Sequence, residues 1–197
     1  GLRLALPVIS FNGAFISALH TGRHIIVNHF EPEVATGVFD LLAEVGDQPL
    51  VSTFDGEADH LYYDRARNEG VAAYLAARAE AADPRVKQVA DVRAGLAEQV
   101  MCQTVIGRRQ ELAELELRLS QLVGDRISMH LFDDVYNPGW FWLTVHDRRA
   151  TKDQAVASLL RHCGLSGRPV TAFGDQINDI ALFRAATRRV AVAGAIE

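Results

Sequence analysis

The chain has 197 residues, 49% of them hydrophobic, with 20 Lys plus Arg against 25 Asp plus Glu and a formal net charge of -5. That much apolar sequence can bury a core in one large domain or two small ones, and the dispersed charge offers no basic stripe to neutralise a nucleic-acid backbone. No apolar run approaches the ~18 residues that a membrane span requires, and no basic leader opens the sequence.

Pro7 to Phe11 is an apolar strand that runs into the turn signal Asn12-Gly13-Ala14. Phe15 to Leu19 and His24 to Val27 flank His20-Thr21-Gly22-Arg23, which predicts a hairpin. Val34, Val38, Leu41, Leu42 and Val45 recur at helical spacing, and the stripe stops near Gly46. Leu50 to Phe54 and His60 to Tyr63 bracket Asp55 and Gly56 as a second strand pair, followed by an alanine-rich helix over Ala66 to Ala82, ahead of Pro84.

Glu98 to Ile106 reads as a strand and Arg108 to Val123 as the clearest helix, with Leu112, Leu115, Leu119 and Leu122 on one face and Glu114 placed to pair with Arg118. Gly124 ends it. Ile127 to Phe132 and Trp140 to Val145 are strands joined through Asn137-Pro138-Gly139. From Thr151 onward the pattern becomes helix, strand, helix, strand, with the last strand at Val190 to Ala193. A polar connection near residues 147 to 150 marks a boundary. The expected organisation is core pieces at 1–23 and 147–197, parts of a parallel sheet, with a hairpin-rich α/β unit over 24–146 inserted between them.

The most informative run is Val170-Thr171-Ala172-Phe173-Gly174-Asp175-Gln176-Ile177-Asn178-Asp179. It sets two carboxylates and a carboxamide where an apolar, buried strand stops and a helix starts, at the edge of a parallel sheet where open α/β folds bind ligands. A helix cap alone would need one such residue. Asp175 and Asp179, four apart, can converge on one hard cation, and Mg2+ suits such a site. Thr151 and Gln154 match a capping box, which puts Lys152 in the first helical turn, where its ammonium and the free N–H groups favour an anion such as phosphate. A divalent ion and a lysine together suit phosphoryl transfer, whose catalysis is mainly electrostatic.

Phe11-Asn12-Gly13-Ala14, the Lys152 helix start, and Phe173 to Phe183 followed by Val190-Ala191-Val192 resemble the haloacid dehalogenase (HAD) superfamily. The order and the large insertion are similar to its Cof-type, subfamily IIB phosphatases with an α/β C2 cap. The resemblance implies a Rossmann-like core, Mg2+, and hydrolysis of small phosphate esters, often sugar phosphates. It implies Lys152 as the phosphate-holding lysine, Asp175 as the metal-binding aspartate and Asp179 as the second acid of that motif. Asn178 would contact phosphate or support the metal, and Asn12 would stand at the edge of the site on the substrate side.

The family's nucleophile is the first Asp of an Asp-x-Asp pair, which does not precede Pro7. Its Ser/Thr motif is missing as well, and Thr21-Gly22-Arg23 imitates that motif's Thr-Gly-Arg form out of order. Both ends therefore look cut, with at least ~30 residues of a βαβ unit expected upstream. The phosphoaspartate chemistry would belong to the intact parent, with this piece alone inactive. The alternatives are a hexose phosphomutase of the same superfamily, a non-catalytic sugar-phosphate binding or regulatory protein, and a nonfunctional gene fragment.

Other clusters read as structural. Asp55, Glu57 and Asp59 around Gly56 lack EF-hand spacing and predict a solvated hairpin tip. Asp133 and Asp134 with Tyr136 and Trp140 read first as a plain turn, with contact to a sugar as the alternative, since aromatic faces and carboxylates suit polyols. The seven histidines show no metal-ligand spacing beyond the His20 and His24 pair, which sits in the predicted hairpin, and most are expected at the surface or at edges. Cys102 and Cys163 lie far apart, without a Cys-x-x-Cys pair, so a reducing cytoplasm is expected, and Cys163 falls on the apolar stripe of its helix. The oligomeric state is open; a small phosphorylated substrate is the expected partner, with neither nucleic acid nor membrane.

Overall fold

A computed structural model describes residues 6–44, 48–176 and 179–195. The chain divides into two compact units, Gly1–Asn28 with Arg148–Glu197, and His29–Asp147. Val45, the last residue of the first helical stripe, and Gly46, its expected stop, lie outside the described residues.

In the first unit, β1 (Pro7–Ser10), β2 (Phe15–Ala18) and β3 (His24–Val27) form an antiparallel meander. Connections this short can only return a strand antiparallel, so the described strands of this piece do not supply the strip of parallel sheet expected from the sequence. The Thr21-Gly22 turn closes the second hairpin with Gly22 at φ 71 and its N–H on the Ala18 carbonyl. β3 thus belongs with β2, and the division falls after Asn28 rather than after residue 23. Asn28 is itself tied back, its Nδ2 donating to the Gly13 carbonyl at 2.9 Å.

The rest of this unit is α4 (Lys152–His162), β10 (Thr171–Gly174), α5 (Ile180–Ala185) and β11 (Arg188–Ala191). β10 and β11 pair in parallel, Thr171 against Arg188 through Gly174 against Ala191. α4 packs on β1, β2 and the tight turn Phe11–Gly13, and Ala14, Ile16, Ala150 and Ala155 are fully buried there. β10 is less buried than its composition predicts: Ala172 is inside, but Phe173 is 63% exposed, because β11 is its only strand neighbour among the described residues. Cys163, expected in the buried stripe of α4, is exposed, because the helix ends at His162 and Cys163 is its terminal cap.

The second unit holds α1 (Pro32–Glu44), β4 (Leu50–Phe54), β5 (Asp59–Tyr63), α2 (Glu69–Glu80), β6 (Val86–Gln88), β7 (Gln99–Gly107), α3 (Arg109–Val123), β8 (Ile127–Asp133) and β9 (Phe141–Asp147). The strands make one six-stranded sheet in the order β6-β5-β4-β7-β9-β8. Strand side chains alternate faces, and the two apolar clusters follow that alternation. Val51, Tyr62 and Val105 point into the cluster under α1 and α3, whereas Leu50, Leu61 and Ile106 point into the one under α2. Leu112, Leu115 and Leu119 of α3 are buried, but Leu122 is 56% exposed at the helix end. Arg118, spaced to pair with Glu114, instead donates to Glu44 of α1 at 2.9 Å.

β6 and the 3-10 turn Val92–Ala97 carry too little pattern to be read in the sequence. α2 begins three residues later than the alanine run suggests because Asn68 caps it, its Oδ1 accepting from Val71 N at 2.8 Å. Inside the sheet, the Cys102 Sγ lies 3.3 Å from Thr104 Oγ1 and 3.5 Å from His146 Nε2. Burial pushes this thiol up to about 12 and His146 down to about 4. His146 and His60, at 2% and 8% exposed, depart from the surface or edge placement expected of most histidines. No helix of the described residues is long and apolar enough to cross a membrane.

Leu119 is fully buried where α3 meets the sheet. Leu119→Ala should cost about 3 kcal/mol through lost burial and a residual cavity. Urea unfolding followed by circular dichroism should show a lower midpoint at unchanged slope.

Candidate active site

β10 delivers Gly174 and Asp175 to its carboxyl end, and the chain returns through Asp179 at the start of α5. Asp179 is 4% exposed and holds the turn together. Its Oδ2 accepts from the Asp175 and Gln176 N–H groups at 3.0 and 3.1 Å, while its Oδ1 accepts from the Lys152 ammonium. Burial alone would raise this carboxyl, but the lysine and the two amides outweigh it and hold Asp179 below the usual carboxylate range.

Gly174 is what lets the turn close. A Cβ there would meet the Asp179 Cβ and Cγ at 2.6 Å, so a side chain would push the carboxylate away. A similar approach positions the lysine. Asn12 turns the chain at φ 55 and Gly13 at φ 103, and a Cβ on Gly13 would lie 2.5 Å from the carbonyl oxygen of Thr151. The Asn12-Gly13 turn is therefore pressed against the residue that precedes Lys152.

Of the expected site residues, Lys152 and Asp179 are in direct contact, Asp175 is on the same turn with its side chain exposed, and Asn12 flanks Gly13 beside the start of α4. Asn178 lies outside the described residues. The expected capping box is not made: Thr151 stands at the cap position, but its side chain makes no cap bond and its Oγ1 is buried without a partner. Asp153 Oδ1, in the first turn of α4, is likewise buried without a partner.

The donors here are hard oxygens, which suit Mg2+. A carboxylate offers about four lone-pair directions. Lys152 and two amides occupy three of those on Asp179, so the exposed Asp175 is the more available ligand and Asp179 can add one direction at most. Chemically, the arrangement fixes an ammonium beside a strand end where an anionic group and a divalent ion could meet.

One constellation escaped the sequence altogether. Glu98 accepts from Tyr62 Oη at 2.6 Å, from Thr53 Oγ1 at 2.5 Å and from His60 Nδ1 at 2.9 Å, and His60 Nε2 lies 3.7 Å from Asp55. One ligand atom each from Asp55, His60 and Glu98 fall within 4.8 Å, the one such grouping among the described residues. His60 turns opposite ring nitrogens to the two carboxylates and Glu98 already accepts from three side chains, so the set works as a hydrogen-bond lock on the β4–β5 hairpin. Asp55 meanwhile closes the hairpin tip, its Oδ1 accepting from Glu57 and Ala58 N–H at 2.8 Å each. Asp134 has the same task in the β8–β9 turn, accepting from Tyr136 N and from both Asn137 nitrogens.

A family model described as haloacid dehalogenase-like hydrolase matches residues 1–197. No curated protein matches the chain. Among solved structures, a Bacillus subtilis haloacid dehalogenase-like hydrolase superposes with TM-score 0.72 at 17% identity, over 98% of this chain and 71% of its own. A Thermotoga maritima protein does so with TM-score 0.69 at 23% identity, covering 97% and 66%. A protein named as a HAD subclass IIB sugar phosphatase gives 0.69 at 17%, covering 96% and 65%. At these identities the likeness is one of fold, and the chain spans about 66% of the length of such structures.

Gly13→Ala should cost about 2 kcal/mol or more, since it combines an unfavourable φ with a backbone clash, and a thermal melt should show it. Glu98 gives a pH signature. Burial opposes its charge, but bonds from Thr53, Tyr62 and His60 prevail and hold its carboxyl below the ordinary 4.5. A depressed carboxyl stabilises the fold above the unfolded value and loses that contribution as pH falls through the folded one. Glu98→Gln should therefore be less stable than the native protein by about 1–3 kcal/mol at neutral pH. That gap should narrow below pH 4.5 in chemical denaturation series.

Proposed function

The chain belongs to the haloacid dehalogenase-like hydrolase family, and on that premise we propose that its parent protein is a Mg2+-dependent phosphatase acting on small phosphate monoesters, sugar phosphates foremost. The observation that carries the reading is the contact of Lys152 with Asp179 at the carboxyl end of β10, one step from the exposed Asp175. Ion and ammonium face the same kind of charge, the anionic oxygens of a phosphoryl group.

In this reading Asp179 is the hinge pin of the site: its carboxylate sets the lysine and the 175–176 backbone in one frame. Lys152, part of whose charge is met by Asp179, stands at the same strand end, where its ammonium attracts the phosphoryl oxygens. Asp175 holds the Mg2+, with Asp179 and Asn178 in support, and Asn12 borders the substrate. When bound, the ion neutralises charge that builds on the phosphoryl oxygens in the transition state. The nucleophile is the first Asp of an Asp-x-Asp pair; none stands ahead of Pro7, so turnover belongs to a chain that carries it. The unit His29–Asp147 is a C2 cap that excludes water and selects the ester, in a cytoplasmic protein.

The test is release of inorganic phosphate by the full reading frame from a panel of phosphate esters, with and without Mg2+. Asp175→Asn should lower Mg2+-dependent kcat by about 10²–10³-fold or more, with thermal stability unchanged. Isomerisation of a hexose phosphate without phosphate release, binding without turnover, or activity indifferent to Asp175→Asn would each overturn the reading.

A further inference from the structure

The Glu98 lock carries an electrostatic mismatch at its outer end. Thr53, Tyr62 and His60 hold Glu98 ionised, so its oxygens can only accept and the His60 Nδ1, 2.9 Å away, is the donor. In the neutral ring that leaves a lone pair on Nε2. The Asp55 Oδ2 faces this nitrogen at 3.7 Å, beyond hydrogen-bond reach and itself an acceptor. Nε2 makes no hydrogen bond among the described residues, although the His60 side chain is only 9% exposed. Two lone pairs aimed at each other beside a buried ring call for a cation between them.

Both groups are oriented in advance. Asp55 spends Oδ1 on the Glu57 and Ala58 N–H groups, at 2.8 Å each, which fixes the carboxylate and keeps Oδ2 out of the backbone bonding. Behind His60, Glu98 supplies the carboxylate-to-histidine bond that typically fixes the tautomer and tilt of a metal-binding ring. Zinc takes imidazole nitrogen and carboxylate oxygen at about 2.0–2.2 Å, so two such bonds at a tetrahedral angle set the ligand atoms about 3.4 Å apart. The observed 3.7 Å is within a few tenths of an ångström of that. The Asp55 side chain is 38% exposed, which gives an ion a way in from solvent and leaves room for water ligands.

We propose that Asp55 Oδ2 and His60 Nε2 bind a divalent ion of the zinc class, with Glu98 as the positioning residue behind His60 and water completing the shell. The imidazole decides the class of ion, because it suits zinc and its transition-metal neighbours, whereas Mg2+ prefers oxygen donors throughout. The site therefore does not compete for the ion assigned to Asp175. Bound there, the metal clips the tip of the β4–β5 hairpin through His60 and Glu98 to the start of β7, and so stiffens that corner of the His29–Asp147 unit. A proton on Nε2 is the rival occupant, turning the same three groups into an ion-paired chain.

The measurement is calorimetric titration of the purified protein with Zn2+, in excess Mg2+ and in a Cys163→Ser background that removes the exposed thiol. Histidine-ring NMR on the same samples reads the site itself: the His60 Nε2 resonance should move on binding while Nδ1 keeps its proton. Asp55→Asn is the most discriminating variant, since its Oδ1 still serves the Glu57 and Ala58 amides while an NH2 group stands where Oδ2 was. It should weaken binding about 10-fold or more, with circular dichroism unchanged. Glu98→Gln, which touches no ligand atom of the ion, should weaken it about 10–100-fold. Saturating Zn2+ that leaves the His60 Nε2 resonance in place, as a site for a proton only would, or equal affinity in Asp55→Asn, would overturn the proposal.

Discussion

The candidate site depends on one carboxylate. Asp179 is buried, and three hydrogen bonds to it come from parts of the chain that sequence keeps apart: the first turn of α4 and the turn that leaves β10. A buried carboxylate without partners would be costly, and one with three charge-assisted bonds is instead held ionised. Two close approaches serve that arrangement. Gly174 makes room for Asp179, and Gly13 lets the Phe11–Gly13 turn press on Thr151. Steric permission at two glycines therefore sets where the ammonium of Lys152 stands.

The His29–Asp147 unit is built on a different principle. Its sheet is covered by α1 and α3 on one face and α2 on the other, so each central strand contributes alternate side chains to two separate clusters. Polar residues in that interior are spent on registration: Gln103, fully buried, donates from Nε2 to the Ala35 carbonyl at 2.7 Å and ties β7 to α1. Phe30 N donates to Val100 O, and Cys102 pairs with His146, so both points where the chain enters and leaves this unit lie at one end of its sheet. Glu98 and its ring of donors stand at that same end.

What the sequence disclosed was local. The strand-to-helix run around Gly174 and Asp175, and the lysine opening α4, are legible because their spacing in the chain is their spacing in space. Most helices and hairpins followed from periodicity and turn chemistry for the same reason. The Glu98 lock was illegible because Thr53, His60, Tyr62 and Glu98 converge only once β4 pairs with both β5 and β7. His146 and Cys163 were misread for a complementary reason: burial follows from where an element ends and what covers it, and neither is written in a single periodic stripe. The contribution of Asp179 could be anticipated as an acid near the site, but not as the residue whose oxygens are mostly taken.

The thiol and imidazole of Cys102 and His146 sit close enough to be mistaken for a reactive dyad, yet burial keeps both uncharged at neutral pH. Cys163, by contrast, is open to solvent. The protein therefore carries two alkylation clocks that run at different speeds: one is set by reagent chemistry, and the other ticks only when β7 and β9 part, so its rate reads out the opening of the sheet interior.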